Sequence, residues 1–518
     1  MTHPRFPLYA SQVVATSHAL AAQVGRDALR DGGNAVDAAI ATAIALTVLE
    51  PTSNGLGSDA FALVWDGARL HGLNGSGRAP AGWMPARFAG REAMPTRGWD
   101  SVTVPGAVDA WRVLHGRFGR LPLARLYAAS IRYAREGVPV SAYLAGKWAN
   151  AARAFREFPE WAETFLIAGA PPSPGAIFRN PRAAETLEAL AESAGAALYT
   201  GELARRLVSA SDAAGGVMTL DDLAGHEAAW VEPVDVAFAG RRVHELPPNG
   251  QGLAALIALG ILEQTPLATL PPDSPDAVHL QVEAMKIAFA EAFRHIADPA
   301  YMERSPADFL TPEYLATRAS QIRLDRAGSP GPSPPPDHGT VYLCAADADG
   351  MMVSFIQSNY MGWGSGIVVP ETGIALQNRG AGFVLTPGHP NQVGGGKRPF
   401  HTIIPGFITH AGAAEAAFGV MGGHMQAQGH TQVAIRLLQQ QLDPQAALDA
   451  PRWFIGSDGR LHLERSVAPA VATELARRGH PLAAPLTSFY GRGQVIRRHA
   501  TTYIAGTEPR TDGAAVGL

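Results

Sequence analysis

Gly339 and Thr340 have the residue types and the spacing of a self-cleaving nucleophile. Thr340 opens a run of β-branched and aromatic residues, and Gly339 directly precedes it. A threonine hydroxyl is a weak nucleophile, but an N-terminal amine, with a pKa of about 7.7–8.0, can take its proton near neutral pH. We therefore predict that the Thr340 hydroxyl attacks the Gly339 carbonyl and that Thr340 becomes a new N-terminus. By itself the pair also fits an ordinary start of a strand.

A β-hairpin and a linker must position these two residues. The predicted strands 341–346 and 353–358 are rich in β-branched and aromatic residues, and Asp347-Ala348-Asp349-Gly350 supplies the turn between them. The proline-rich segment 329–336 can join neither a helix nor a sheet ladder. It is predicted to be an exposed, extended segment that leads to Gly339.

The composition indicates a globular protein. Of the 518 residues, 47% are hydrophobic and 17% charged, and the net charge of −4 provides no basic field for nucleic acid. The single cysteine, Cys344, excludes an internal disulfide and is expected to be buried and inert. The apolar run 35–49 contains Asp37 and is too short to span a bilayer, and the N-terminus lacks the pattern of a secretory signal. We therefore expect a cytoplasmic protein with no membrane or nucleic-acid partner.

The rest of the chain predicts helices first and short strands later. Thr16 or Ser17 is predicted to cap a helix that ends near Asp31, and Asn34 to cap a second helix that stops at Pro51. The other predicted helices span 121–136, 182–194 and 277–296, within a mostly helical region from 106 to about 300. The other predicted strands span 60–65, 69–73, 367–370, 374–378, 402–408 and 418–421.

Two further groups of residues are candidates for chemistry. Gly422 and Gly423 follow a predicted strand, so their NH groups can form an oxyanion hole, although a turn required by packing fits equally well. His279, Glu283 and His295 are metal-ligand types, but no compact ligand cluster recurs nearby in the sequence. We interpret these three as structural or solvated and expect no metal or organic cofactor.

Several motifs together resemble the γ-glutamyltransferase family of N-terminal nucleophile hydrolases. They are Asp-Gly-Gly-Asn-Ala-Val-Asp-Ala-Ala at 31–39, Val-Pro-Gly at 104–106, Ala-Arg-Glu-Gly at 134–137, Lys-Arg-Pro at 397–399, and the turn at 347–350. The resemblance covers nearly the whole chain and implies an α+β fold, a four-layer α/β/β/α sandwich. It implies two fragments, 1–339 and 340–518, that form one heterodimeric domain; a dimer of these heterodimers stays open.

The resemblance also implies roles for individual residues. Thr340 matches the catalytic threonine, Ser358 a hydroxyl residue that supports it, and Gly422 and Gly423 the oxyanion-hole glycines. The substrate-binding residues expected from the alignment are Arg78, Asn359, Tyr360, Arg379, His401 and Thr402.

The pocket departs from the family at the positions that bind a glutamyl group. Ser76 stands where the family has the arginine for the α-carboxylate, although Arg78 follows two residues later. Tyr360, Arg379 and Gly382 replace the asparagine, glutamine and aspartate around the α-amino group. A buried ammonium needs a carboxylate partner, which glycine cannot provide.

These departures favour an acid that lacks the amine. We expect hydrolysis of a small acid amide such as oxamate, in a branch of the family that includes oxamate amidohydrolase. A γ-glutamyl hydrolase or transferase acting on glutathione-like compounds is the alternative. A third hypothesis, of another class, is an unprocessed and inactive binding protein.

Overall fold

The computed structural model describes residues 5–328, 339–486 and 489–518, so the predicted linker 329–336 lies outside the described residues. The α-helices of this part of the chain are α1 (Ala19–Arg30), α2 (Ala35–Leu49), α3 (Ala107–Phe118), α4 (Leu123–Glu136), α5 (Ala142–Ala154), α6 (Pro159–Phe165), α7 (Pro181–Glu192), α8 (Glu202–Ala213), α9 (Leu220–Ala224), α10 (Gly252–Glu263), α11 (Pro275–His295), α12 (Pro312–Ala319), α13 (Met425–Ala434), α14 (Pro444–Asp449) and α15 (Pro469–Arg477).

Two seven-stranded antiparallel sheets form the centre of the molecule. The strands are β1 (Leu8–Ala10), β2 (Val13–Thr16), β3 (Asp59–Trp65), β4 (Leu70–Gly75), β5 (Val138–Pro139), β6 (Ile177–Phe178), β7 (Ala229–Val231), β8 (Val234–Phe238), β9 (Arg241–Glu245), β10 (Val341–Ala346), β11 (Met352–Ser358), β12 (Val368–Val369), β13 (Ile374–Ala375), β14 (Gly406–His410), β15 (Ala413–Met421), β16 (Trp453–Ile455), β17 (Leu461–Leu463), β18 (Leu482–Ala483), β19 (Arg492–His499), β20 (Thr502–Thr507) and β21 (Ala514–Gly517). One sheet has the order β21-β2-β10-β11-β3-β4-β7 and the other β1-β20-β19-β15-β14-β9-β8.

The sheets and helices form four layers, which confirms the predicted α/β/β/α sandwich. Helices α1, α2, α3, α4 and α7 cover the outer face of the sheet that contains β10. Helices α10, α11 and α13 cover the outer face of the other sheet, and the two inner faces pack against each other. This arrangement buries apolar side chains on both faces of each central strand, which is the main favourable contribution to folding.

The predicted hairpin lies at the centre of the sandwich and is confirmed. Strand β10 pairs with β11 from Val341 opposite Gln357 to Ala346 opposite Met352. The odd-numbered residues of β10 pack on the helices and the even-numbered residues, including Cys344, pack on the second sheet. Cys344 is buried, as expected, and burial raises the pKa of its thiol.

Asn34 caps α2 as predicted, because its side chain accepts from the NH groups of Val36 and Asp37 and the Asp37 carboxylate returns a bond to the Asn34 NH. The predicted cap of α1 is wrong. Thr16 belongs to β2, and His18 caps the helix through its imidazole.

Two other predicted stretches differ from the structure. The region 106–300 contains β7, β8 and β9 as well as helices. Strand β7 pairs with β4 and β9 with β14, both far along the chain, and β8 pairs with β9. The predicted strand 402–408 begins only at Gly406, since residues 402–405 lie outside the sheet, where Thr402 contacts Arg379. In the described ranges no helix is both long and apolar enough to cross a membrane.

Candidate active site

Thr340 lies immediately before β10 and is completely buried. Gly339 has a φ of +143°, and a Cβ added there would lie 2.7 Å from the backbone nitrogen of Gly362. Both observations exclude a side chain at this position, because L-residues rarely adopt that backbone conformation and no contact that short is tolerated. The structure therefore requires glycine directly before the predicted nucleophile.

Ser358 joins the predicted nucleophile to the predicted scissile carbonyl. Thr340 Oγ1 donates to Ser358 Oγ at 3.1 Å, and Ser358 Oγ donates to the Gly339 carbonyl oxygen at 2.6 Å. The hairpin register sets this geometry, because Val341 pairs with Gln357 and places the preceding residue opposite Ser358. A serine hydroxyl has one donor and two acceptor lone pairs, so it can serve both contacts at once.

Arg379 brings a positive charge to the same serine. Its Nη2 donates to Ser358 Oγ at 2.6 Å and its Nη1 to Thr402 Oγ1 at 2.8 Å. The guanidinium also lies 4.6 Å from the centroid of the Tyr360 ring. Three predicted substrate-binding residues, Tyr360, Arg379 and Thr402, thus converge beside the nucleophile.

His401 is held neutral in the same cluster. Its Nδ1 accepts from the Ile403 NH at 3.3 Å, so Nε2 carries the hydrogen and donates to Asp59 Oδ2 at 3.1 Å. Burial, with the charge of Arg379, keeps the pKa of His401 well below its ordinary 6.5. The imidazole is therefore a hydrogen-bond donor to Asp59 and not a cation.

Asp59 is a buried carboxylate to which the sequence analysis gave no role. It begins β3 and pairs across the sheet with Ser358, so it faces the site from the neighbouring strand. Its Oδ1 accepts from the Gly106 NH at 3.0 Å. Burial raises the pKa of Asp59 from 3.8 to about 7, although the charge of Arg379 opposes the rise. Its position after the loop 54–58 was the only available signal in the sequence.

Gly422 and Gly423 adopt left-handed backbone conformations, with φ of 131° and 58°, at the end of β15. The Gly423 carbonyl accepts from Gln251 Nε2 at 3.0 Å, which fixes the loop. Within the described part of the chain, neither NH of the pair donates a hydrogen bond. Two fixed NH groups are thus available, as an oxyanion hole requires.

Two further predicted substrate-binding residues, Arg78 and Asn359, bond to Asp298 and Ser58. Arg78 is half-exposed and pairs with Asp298 Oδ2 at 3.2 Å, and its described contacts reach neither Thr340 nor Arg379. The side-chain oxygen of Asn359 accepts from Ser58 Oγ at 2.7 Å. Its buried Nδ2 has no acceptor among the described residues.

The structure shows what surrounds Ser76 and Gly382, two positions at which the sequence departs from the family pattern. Ser76 Oγ accepts from Asn249 Nδ2 at 2.9 Å. A Cβ on Gly382 would lie 2.4 Å from the Phe400 carbonyl oxygen, which is part of the backbone and cannot move aside like a side chain. The site therefore has no room for a carboxylate side chain at position 382.

A group of residues of metal-ligand type forms at α11, apart from the residues around Thr340. His279, Glu283 and His480 come together so that one ligand atom of each lies within 4.8 Å of the others. His480 was not included in the group considered from the sequence, because it lies 201 positions from His279 and meets α11 only in the folded chain. Lys286 Nζ already donates to Glu283 Oε1 at 2.7 Å, and His279 and His480 bond to each other at 2.8 Å. Each ligand atom of the cluster therefore already has a protein partner, either within the cluster or on Arg323, Lys286 or Gly328.

Comparisons with known proteins agree with this geometry. The profile of the family described as gamma-glutamyltranspeptidase matches residues 21–518. The oxamate amidohydrolase proenzyme of Klebsiella pneumoniae is 38% identical over 518 residues, 96% of this chain and 97% of its own. The glutathione hydrolase-like YwrD proenzyme of Bacillus subtilis is 35% identical over 519 residues, 98% of each chain. The crystal structure of cephalosporin acylase from Bacillus halodurans matches with a TM-score of 0.94 and 47% identity, covering 100% of this chain and 98% of that one.

The relatives are similar to this chain along almost its whole length, and their names describe hydrolases and acylases. Two of the names include the word proenzyme. The resemblance inferred from the motifs is thereby confirmed, and the hypothesis of an inactive binding protein is set aside. The chain is an enzyme of the gamma-glutamyltranspeptidase family of N-terminal nucleophile hydrolases.

Proposed function

We propose that the chain is a precursor that cleaves itself between Gly339 and Thr340 and then hydrolyses amides with Thr340 as the nucleophile. The observation that carries this proposal is the position of Ser358 Oγ, 3.1 Å from Thr340 Oγ1 and 2.6 Å from the Gly339 carbonyl oxygen. The attacking hydroxyl and the carbonyl belong to adjacent residues, which gives the reaction a high effective molarity.

The cleavage proceeds in two balanced steps. Thr340 Oγ1 forms a bond to the Gly339 carbonyl carbon, the carbon–nitrogen bond breaks, and the hydroxyl proton passes to the nitrogen. Water then hydrolyses the ester, which leaves a carboxylate on Gly339 and a free amine and hydroxyl on Thr340. Ser358 donates to the Gly339 oxygen, where negative charge develops, and such a donor is worth about 10²- to 10³-fold in rate.

Amide turnover repeats this chemistry on a substrate. The Thr340 amine takes the hydroxyl proton as the carbonyl is attacked and returns it to the leaving amine. The NH groups of Gly422 and Gly423 stabilise the oxyanion. Arg379 holds Ser358 through a charge-assisted bond and so keeps the hydroxyl in place.

The substrate class that the pocket supports best is a small acid amide of the oxamate kind. The Arg379 guanidinium supplies positive charge beside the nucleophile, and position 382 cannot carry the acid that an α-ammonium needs. A relative that is 38% identical is named oxamate amidohydrolase proenzyme. Arg78 is a weaker candidate for binding the substrate, because it is already paired with Asp298.

A γ-glutamyl compound is the second candidate, and Asp59 is the observation in its favour. It is a buried carboxylate near Arg379, and a relative that is 35% identical is named glutathione hydrolase-like. However, Asp59 already accepts from His401 and from the Gly106 NH. An ammonium would have to displace one of these donors.

The test of self-cleavage uses freshly purified full-length protein. Wild type should give two bands on a denaturing gel, and Edman sequencing of the smaller one should begin Thr-Val-Tyr-Leu. Thr340→Ala should remain a single chain, whereas Thr340→Ser keeps a hydroxyl and should still cleave. Active wild-type protein that stays uncleaved would contradict the mechanism.

The test of the acyl group compares oxamate with a γ-glutamyl anilide on processed enzyme. We expect kcat/KM for oxamate to be at least as large. A preference for the glutamyl compound of about 100-fold, which corresponds to about 2.7 kcal/mol, would show that the pocket recognises an amino acid.

A further inference from the structure

A cavity of about 330 Å³ opens beside the nucleophile, and its walls include Gly339 and Gly422. Its apolar walls come from Phe155, Trp363 and Phe489. This volume is in the range of small-molecule sites, about 300–1,000 Å³, whereas one water needs only about 10–15 Å³. Ammonia, the leaving group of oxamate, would leave almost all of this cavity unused.

Two cations line the cavity. Lys147 comes from α5 and Arg492 from the start of β19. Lys147 Nζ lies 4.8 Å from the centroid of the Tyr143 ring, and no carboxylate in the described ranges forms an ion pair with it. Arg492 contacts the Tyr143 hydroxyl and lies 3.6 Å from Glu50 Oε1. The fully buried Glu50 and the partly buried Asp512 are the acids that act on Lys147.

The charge of Lys147 is poorly compensated in this setting. Burial and the charge of Arg492 lower the pKa of its ammonium from 10.5 to about 7, against the opposing effects of Glu50 and Asp512. Glu50 also accepts from the hydroxyls of Ser17 and Ser53, which spreads its charge over other donors. An anion entering the cavity would meet two donors that gain a partner by binding it.

The chemistry of the site tells which part of a substrate reaches this cavity. In the proposed reaction the Thr340 amine returns its proton to the leaving group, so the leaving group must lie within hydrogen-bond reach of that amine. The amine forms at the bond that now joins Thr340 to Gly339, and Gly339 lines the cavity. The cavity is therefore on the amine side of the amide, whereas Arg379 contacts Ser358 and Thr402 outside the cavity wall.

We propose that Lys147 and Arg492 bind a carboxylate carried on the amine side of the scissile amide, so that N-acyl amino acids are better substrates than primary amides. This inference rests on the proposed function and adds its leaving-group specificity. The apolar walls accommodate the carbon chain between the amide nitrogen and the carboxylate. Lys147 and Arg492 are specificity residues in this scheme, and they do not touch the reacting atoms.

The test compares matched amides on processed enzyme. N-oxalylglycine and its β-alanine and γ-aminobutyrate homologues carry the carboxylate at increasing distance, and the N-alkyl oxamates of equal length replace it by a methyl group. At the best chain length we expect kcat/KM to favour the carboxylate by at least tenfold. A ratio near one at every length would overturn the inference.

Variants on α5 assign the preference to Lys147. Lys147→Met should reduce the ratio of carboxylate to alkyl substrate at least fivefold, and Lys147→Arg should restore most of it. Arg153→Met removes an exposed charge from the same helix and should keep the wild-type ratio. If Lys147→Met fails to fold, product inhibition of the wild-type enzyme tests the inference instead. γ-Aminobutyrate or a shorter homologue should inhibit more strongly than the alkylamine of equal length. Equal inhibition would overturn the inference.

The outcomes separate this inference from the proposed function. Turnover of oxamates without any preference for the carboxylate refutes the leaving-group site and leaves the acyl assignment standing. Turnover of γ-glutamyl amides alone refutes the acyl assignment, and the pair γ-glutamylglycine and γ-glutamylethylamide then tests the cavity in the same way.

Discussion

Ser358→Ala should stop or greatly slow the self-cleavage of the precursor. The serine hydroxyl donates to the Gly339 carbonyl and accepts from Thr340 Oγ1, from the Tyr360 NH at 2.8 Å and from Arg379 Nη2 at 2.6 Å. These three incoming donors share the two lone pairs of the hydroxyl, so its hydrogen-bonding capacity is fully used. Removing the oxygen therefore takes away a donor to the scissile carbonyl and an acceptor for the Tyr360 NH and for Arg379 Nη2.

The size of the effect follows from these contacts. Loss of one donor to a developing oxyanion costs about 2.7–4 kcal/mol, so cleavage should slow by about 10²- to 10³-fold. Loss of the Ser358 acceptor from a buried NH group costs about 1–3 kcal/mol of folding stability. The variant must therefore be shown to be folded before its rate is interpreted.

A pulse of synthesis followed by a time course on denaturing gels measures the cleavage rate, and circular dichroism reports the fold. Ser354→Ala is the matched control, because Ser354 lies on the same strand but bonds to the Tyr342 hydroxyl at 2.8 Å, away from the nucleophile. This control should cleave like wild type. A folded Ser358→Ala precursor that cleaves within about threefold of the wild-type rate would refute the reasoning.

Three further predictions concern the surroundings of the nucleophile. Arg379→Lys keeps the charge but cannot bridge two hydroxyls, so kcat/KM for oxamate should fall at least about tenfold, and an unchanged value would contradict the assignment. Asp59→Asn removes a carboxyl whose pKa burial raises from 3.8 to about 7. The folded protein holds that proton more tightly than the unfolded chain does. The unfolding free energy of wild type should therefore fall by up to about 4 kcal/mol as the pH rises from about 4 to about 7. Urea titrations at about pH 4.5 and 7.5 should show a smaller fall in the variant, and equal falls would be inconsistent with the raised pKa. The added methyl group of Gly382→Ala meets the Phe400 carbonyl and should cost about 1–3 kcal/mol of stability. Gly116→Ala lies in open space on α3 and should gain up to about 1 kcal/mol. Thermal unfolding of both variants measures the two changes.

The sequence predicted those parts of the site whose geometry is local. A hairpin with a short turn fixes its own register, so the two strands that follow Thr340 and end at Ser358 were predicted from the turn at 347–350. The role of Ser358 was predicted from the family resemblance. A pair of glycines after a strand likewise indicated two available NH groups. The Asn34 cap of α2 was predicted for the same reason, because its side-chain oxygen accepts from the NH groups of the two helix residues Val36 and Asp37.

Residues that meet across long stretches of chain could be assigned only from the tertiary structure. Asp59 and His401 are 342 positions apart, and nothing near Asp59 in the sequence marks it as a partner of the site. Lys147 and Arg492 line one cavity because α5 packs beside the end of β15 and the start of β19. Short strands such as β7 depend on a partner already present in the sheet, so their own residues carry a weak signal.

The sequence by itself predicted the hairpin that follows Thr340, because turn residues and β-branched runs act between near neighbours in the chain. The layer architecture and the role of Thr340 were predicted from the motifs that resemble the family. The stacking of the two sheets and their helices decided which charges surround Thr340. Burial shifts the pKa values of Asp59 and Lys147 because it removes water from their charged groups, and the residue types alone give no sign of this. Local patterns thus predicted single elements and the family motifs predicted the fold, whereas the electrostatics of the pocket depend on contacts between distant segments.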